Sequence, residues 1–179
     1  MKVGIIGGGA WGRALGMLVA EAGHQPMFGY RKRPVAGFPG TPNWSALAQE
    51  NDLLIVAAPP GAVREVVKKA KPGPGQKVLI ASRGLEPETG TYLSDIVLQE
   101  SACLRVGSLA GPALADEVMQ RRPSALVVAS AFDEVTRLGQ LGLHSAVCRV
   151  YTSRDIRGVE VAGAVGRVFA VALGLVDAM

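Results

Sequence analysis

Three glycines, Gly7, Gly9 and Gly12, stand in the spacing G-x-G-x-x-G inside the stretch GIIGGGAWGRALG. The run before them, KVGIIG, reads as a strand, and the run they open reads as a helix. In that context each glycine has a task. Gly7 makes a tight turn, Gly9 lets the backbone approach a pyrophosphate, and Gly12 lets helix and strand pack closely, while the first helical amides, beside Ala10 and Trp11, face the phosphates. The spacing predicts a dinucleotide site, the alternative being a glycine-rich turn without a ligand. Cofactor choice is read about 20 residues further on, where an acid at the end of the second strand would hydrogen-bond the ribose 2′-hydroxyl. FGYRKR has no acid there and offers Arg31, Lys32 and Arg33, cations that can pair with a 2′-phosphate. NAD and NADP are both admitted, with NADP favoured; a solvated basic turn is the other reading.

A second place raises a chemical question. VEVAGAVGRVFAVALG, residues 159–174, reads as a buried helix, yet Gly166 and Arg167 interrupt it. A guanidinium keeps its charge and has no proton to exchange near neutral pH. Arg167 can therefore bind a phosphate or polarise a carbonyl, but not act as general acid. The structural alternative is that Arg167 reaches Glu160, one heptad earlier on nearly the same face. A membrane span is not expected, because Glu160 and Arg167 divide the apolar run well below the roughly 20 residues required.

The elements that must position these groups alternate along the whole chain. KVGIIG, QPMFGY, DLLIVAAP, QKVLIAS, LRVGSLAG, SALVVAS and HSAVCRVY read as strands, with helices expected near 10–23, 44–50, 61–70, 89–100, 112–120 and 131–141. Strands apolar on successive residues are buried on both faces, which a parallel sheet covered by helices requires. The expected fold is α/β, a doubly wound, mostly parallel Rossmann-type sheet, its ligand beyond the carboxyl ends of the strands where their order reverses. A long helix is expected to close the chain from Ser153, as N-cap, to Met179. This divides the chain into a dinucleotide-binding domain, 1–152, and a final helix, 153–179.

Composition narrows the functional classes. Of 179 residues 49% are hydrophobic and 23 are glycine, which suits a compact α/β protein and excludes disorder. Lysine and arginine exceed aspartate and glutamate only by 19 to 15. The basic runs RKRP (31–34) and VKKAKPGPGQK (67–77) lack interleaved aromatics, so no nucleic-acid partner is expected. Cys103 and Cys148 lie far apart, and with His24 and His144 they give no metal-ligand spacing. They read as reduced core thiols of a cytoplasmic protein, and MKVGII lacks the pattern of an export signal.

With DLLIVAAPPGAVREVV, ASRGLEPETG, LAGPALADEV and YTSRDIRGVEVAGAVGRVFAVALGLVDA added to the glycine loop, the chain resembles the bacterial-type NAD(P)-dependent glycerol-3-phosphate dehydrogenases. The resemblance runs in order along nearly the whole chain. Its marks are G-x-G-x-W-G from Gly7 to Gly12, G-P-x-x-A-x-E-V from Gly111 to Val118, and D-x-x-G-V-E from Asp155 to Glu160. It implies reversible hydride transfer between NADP or NAD and the dihydroxyacetone phosphate/glycerol 3-phosphate pair, a step of glycerophospholipid metabolism. It further implies cofactor contacts at Pro59 and Ala115 beside those of the loop, and substrate contacts at Arg83, Gly111 and Arg167.

The departures bear on activity. The family has K-G where this chain has Arg83-Gly84, and G-A-L-K-N where this chain has Gly163-Ala164-Val165-Gly166-Arg167. The family's proton-transferring lysine thus falls on Gly166, which has no side chain. The serine before G-P is Ala110, and the region after Arg31 is shortened. The family continues beyond the position of Met179 into a helical substrate domain. These differences predict impaired turnover, with a non-catalytic dinucleotide-binding or assembly protein as the alternative, and a homodimer through the apolar helix 153–179.

Overall fold

The computed structural model describes residues 1–178, and of Arg167 its backbone alone. Within the described residues eight strands form one sheet in the order β3-β2-β1-β4-β5-β6-β7-β8. Strand β1 (Lys2–Ile6) leads through α1 (Ala10–Glu21) to β2 (Gln25–Gly29), and the two-residue β3 (Gly40–Thr41) extends that half. Helix α2 (Trp44–Glu50) carries the chain back across to β4 (Leu53–Val56), which pairs with the other side of β1. A 3-10 turn (Pro60–Ala62), α3 (Val63–Ala70), β5 (Lys77–Ile80), α4 (Leu93–Glu100) and β6 (Arg105–Ala110) complete the parallel part. The strand order therefore reverses between β1 and β4, where a doubly wound sheet leaves a crevice.

Successive apolar residues are buried on opposite faces, as the sequence pattern requires. Val3, Ile5, Ile55 and Leu79 enter one core cluster together with Ala14, Leu15 and Leu18 of α1, whereas Ile6, Val56 and Ile80 enter the other with Leu47, Val63, Val66 and Val67 of α2 and α3. Most of these side chains are wholly buried, and each contributes about 1.5–3 kcal/mol of transfer free energy.

Several elements differ from the sequence expectation. The expected crossover helix 112–120 is the five-residue α5 (Ala115–Met119), packed on α1. The chain turns back without crossing, so β7 (Ser124–Ala129) runs antiparallel to β6. Helix α6 (Asp133–Leu143) then restores a parallel pairing between β7 and β8 (Cys148–Ser153). Helix α4 starts at Leu93 because the preceding residues form a turn in which Thr89 Oγ1 donates to Glu86 Oε2 at 2.6 Å. Helix α7 spans Ile156–Asp177 and is capped by Asp155, not Ser153. The Asp155 carboxylate accepts from Gly158 N at 2.8 Å, and Ser153 Oγ accepts from Asp155 N at 3.1 Å, so the serine orients the cap.

The first half of α7 is held firmly. The buried Glu160 carboxylate accepts from Ser94 N at 2.9 Å and from Ser94 Oγ at 2.7 Å, a negative charge placed on the N-terminal turn of α4. Arg157 bonds Asp95 and lies 4.3 Å from the Tyr92 ring centroid. The D-x-x-G-V-E segment thus caps one helix and docks it on another. Glu160 is paired with Arg157 and Ser94; a contact with Arg167 lies outside the described residues. Beyond Gly166 the helix axis turns by 50°, at the kind of residue where helices bend.

Candidate dinucleotide cleft

The cleft lies beyond the carboxyl ends of β1 and β4. It encloses about 1020 Å³ and is bordered by the loop Gly7–Arg13, the segment after β2, the β4 end through Pro60, Arg83, and Ala113–Ala115. The glycine loop is as tight as its spacing suggests. Gly7 has φ +127°, and a Cβ there would stand 2.3 Å from Ala57 O; a Cβ on Gly12 would stand 1.8 Å from Gly7 O. Helix α1 can seat its first turn against β1 only because both side chains are absent. Gly9, in contrast, would place a Cβ in open space, with nothing within 4 Å.

Helix α1 begins at Ala10 with Gly9 as N-cap, no side chain caps it, and its first turn carries no acid. Its leading amides therefore point into the cleft with the positive end of the helix dipole behind them. A pyrophosphate fits that cradle, since Gly9 leaves the room that a side chain would fill and the amides supply donors. Trp11 fixes the cradle in place: its indole N–H donates to Ala81 O at 2.9 Å, tying α1 to the end of β5.

Arg83 is engaged across the same wall. Its Nη2 donates to Gly111 O at 2.8 Å and to Ala113 O at 2.7 Å, and its guanidinium lies 5.7 Å from the Trp11 ring centroid. The arginine thus clamps the G-P loop onto the glycine-loop side of the cleft. Ser82 next to it donates to Ala58 O at 2.6 Å, closing the floor between β4 and β5.

At the far end, Arg31 and Arg33 line the cleft and are exposed. Glu65 of α3 faces the same space; Lys69 Nζ donates to Glu65 Oε1 at 2.6 Å. That bond, seconded by the positive charges of Lys69 and Arg31, holds the Glu65 carboxyl below the usual carboxylate range. Behind α3, Arg64 grips Glu86 with Nε and Nη2, each at 2.8 Å, and also bonds Glu100. The Arg64 bonds, then that from Thr89, pull the Glu86 carboxyl down to about 2.

Of the residues singled out in the sequence, Gly7, Gly9, Ala10, Trp11, Gly12, Arg31, Pro59, Arg83 and Ala115 meet around this one cleft. Gly111 lies behind Arg83 and presents its carbonyl to it. Gly166 is exposed, and a Cβ there would meet nothing within 4 Å; the Arg167 side chain lies outside the described residues. Gly163 and Ala164 of α7 do border the cleft. Gly163 and Ala164 belong to the segment that matches the family's G-A-L-K-N, whereas Glu65 and Ser82, though inside stretches that carry the resemblance, were not singled out, and the fold brings them to the site. Among the described residues no group of His, Cys, Asp and Glu could hold a metal ion. Burial raises both thiols, that of Cys148 to about 11, so neither is a ready nucleophile.

A reversed strand order, a glycine-lined helix N-terminus at the reversal and a basic far end define a dinucleotide-binding domain of the doubly wound class. A family model described as NAD-dependent glycerol-3-phosphate dehydrogenase N-terminus matches residues 36–136, and the chain belongs to that family. A protein of Psychrobacter arcticus named glycerol-3-phosphate dehydrogenase (NAD(P)+) is 33% identical over 99% of this chain and 46% of its own length. Its namesake from Acinetobacter baylyi is 32% identical over 99% of this chain and 56% of its own. The chain thus spans about half the length of the relatives it matches. The solved glycerol-3-phosphate dehydrogenase of Coxiella burnetii superposes with a TM-score of 0.83 at 24% identity, covering 98% of this chain and 61% of that one, which establishes the common fold.

Proposed function

We propose that this chain is the cofactor-binding part of an NAD(P)-dependent oxidoreductase of the glycerol-3-phosphate dehydrogenase type, acting between dihydroxyacetone phosphate and glycerol 3-phosphate. Residues 1–152 form the cofactor domain, and 153–179 begin the substrate domain. The observation that carries the reading is the cleft itself, in which Gly9 is open while Gly7 and Gly12 are packed to the limit at the strand reversal. The amides after Gly9 hold the pyrophosphate, Arg31 meets a 2′-phosphate, and Pro59 and Ala115 flank the cofactor, with NADP favoured over NAD. The nicotinamide supplies a hydride when bound; the chain must supply the proton and the phosphate grip.

Those two provisions are weak here. Arg83 holds carbonyls and keeps its charge, and Gly166 offers no group at the lysine position. A positioned general acid contributes about 10²–10⁴ in rate, so the 179 residues by themselves bind cofactor but turn over slowly. Gly166 also favours the second reading, a dinucleotide-binding protein without efficient turnover. The exposed apolar half of α7, with Val168 at 70% and Phe169 at 63% exposure, is an interface, closed in a homodimer of this chain. Buried free thiols support a cytoplasmic setting. Among the described residues no single helix is long and apolar enough to cross a membrane, although the bent pair Ile156–Gly166 and Val168–Asp177 within α7 together has the length and composition of a span.

The test is oxidation of NADPH by saturating dihydroxyacetone phosphate, with calorimetric binding of NADPH measured alongside. Micromolar binding with turnover at least about a hundredfold slower than an ordinary dehydrogenase is expected. Brisk turnover would mean that another group donates the proton; absence of cofactor binding by the folded chain would overturn the reading.

A further inference from the structure

The acid missing from the end of β2 is present in space, on a different element. Glu65 lies in the first turn of α3 and lines the cleft beside Ala62 and Val66, in the same space as Arg31 and Arg33. Its side chain is 57% exposed yet held, because Lys69 one turn later donates to it at 2.6 Å. Lys69 is itself steadied, with Nζ 5.8 Å from the ring centroid of Trp44, another residue of the cleft wall. Trp44, Lys69 and Glu65 thus form a fixed arc around the end of the cleft where Arg31 stands. The Lys69 bond, with the charges of Lys69 and then Arg31, holds the Glu65 carboxyl below the usual carboxylate range.

A fixed carboxylate treats the two cofactors differently. It accepts a hydrogen bond from a ribose 2′-hydroxyl, and it repels a 2′-phosphate that Arg31 attracts. We propose that Glu65 is a specificity-determining residue that offsets Arg31, so that the cleft accepts NAD as well as NADP. The proposal rests on the dinucleotide reading above. It assigns the choice of cofactor to opposed charges from two elements, not to the basic turn alone.

Calorimetric titration of the full chain with NADPH and with NADH, as wild type and as Glu65→Gln, tests it. The NADPH to NADH affinity ratio should rise about fivefold in the variant, the size of the repulsion between a carboxylate and a doubly charged phosphate about 8 Å apart in water. The gain should shrink in 1 M salt, where the Debye length falls to about 3 Å. Lys69→Met, which leaves Glu65 unneutralised, should move the ratio the other way. A ratio unchanged or lowered by Glu65→Gln, with both cofactors still bound, overturns the role of Glu65 and leaves the dinucleotide reading intact. Failure of the folded wild type to bind either cofactor overturns both.

Discussion

Replacing Gly12 by alanine puts one methyl group where α1 meets the β1 turn. The added Cβ would lie 1.8 Å from Gly7 O, a backbone atom, and the gap must open to at least the 3.4 Å of ordinary contact. No side chain can rotate away, so the helix N-terminus has to lift from the strand. Overpacking of this kind costs about 1–3 kcal/mol, which for a domain of this size lowers Tm by roughly 3–10 °C. It also displaces the amides that face the cleft, so cofactor affinity falls with stability. Gly9→Ala is the matched control: its Cβ meets nothing within 4 Å. As an N-cap change it should cost no more than about 1 kcal/mol of stability, while its methyl occupies the room of the pyrophosphate and weakens binding about tenfold or more. The assay is thermal unfolding followed by circular dichroism, paired with calorimetric titration of NADPH. The reasoning is refuted if Gly12→Ala leaves Tm unchanged, or if Gly9→Ala lowers Tm markedly and binds NADPH normally.

Two further outcomes follow from the ion pairs and from α7. The Glu86 carboxyl falls from an ordinary 4.5 to about 2 in the fold, so its contribution to stability is present above pH about 4.5 and is lost as pH falls toward 2. Glu86→Gln should therefore be less stable than wild type at pH 7, with a difference in urea midpoint that narrows below pH about 4.5; a difference constant down to pH 2.5 would contradict the pairing with Arg64. The apolar half of α7, where Leu173, Leu175 and Val176 are 65–71% exposed, should give a dimer by light scattering at high micromolar concentration, and Phe169→Glu should shift it to monomer. A monomeric wild type at that concentration would remove the interface.

The parallel core and the cleft were legible in the sequence for a definite reason. The apolar runs of β1, β4 and β5 bury successive residues on two faces, and Gly7, Gly9 and Gly12 each meet a constraint that their spacing encodes. The antiparallel β7 was not legible, because LAGPALADEV fits a crossover helix as well as a short one and only its packing on α1 decides. Strand β3 has two residues, too few for any period. Ser153 and Asp155 both suit an N-cap, and geometry makes them consecutive links of one cap. Glu65 sits in a helix with a conventional pairing to Lys69 four residues on, so sequence marks it as a surface salt bridge. Its place beside Arg31 is a fact of the tertiary fold alone.

The proposed function requires a dinucleotide to lie with its pyrophosphate on the N-terminus of α1. Amide chemical shifts of the uniformly ¹⁵N-labelled chain, followed during titration with NADPH, test it most directly. The amides of Gly9, Ala10, Trp11 and Gly12 should move most and saturate together with that of Arg31, while those at the opposite end of the sheet, such as Lys77 and Arg105, stay still. Saturable shifts confined to another surface, or a folded chain whose loop amides do not respond to millimolar NADPH, would contradict the account.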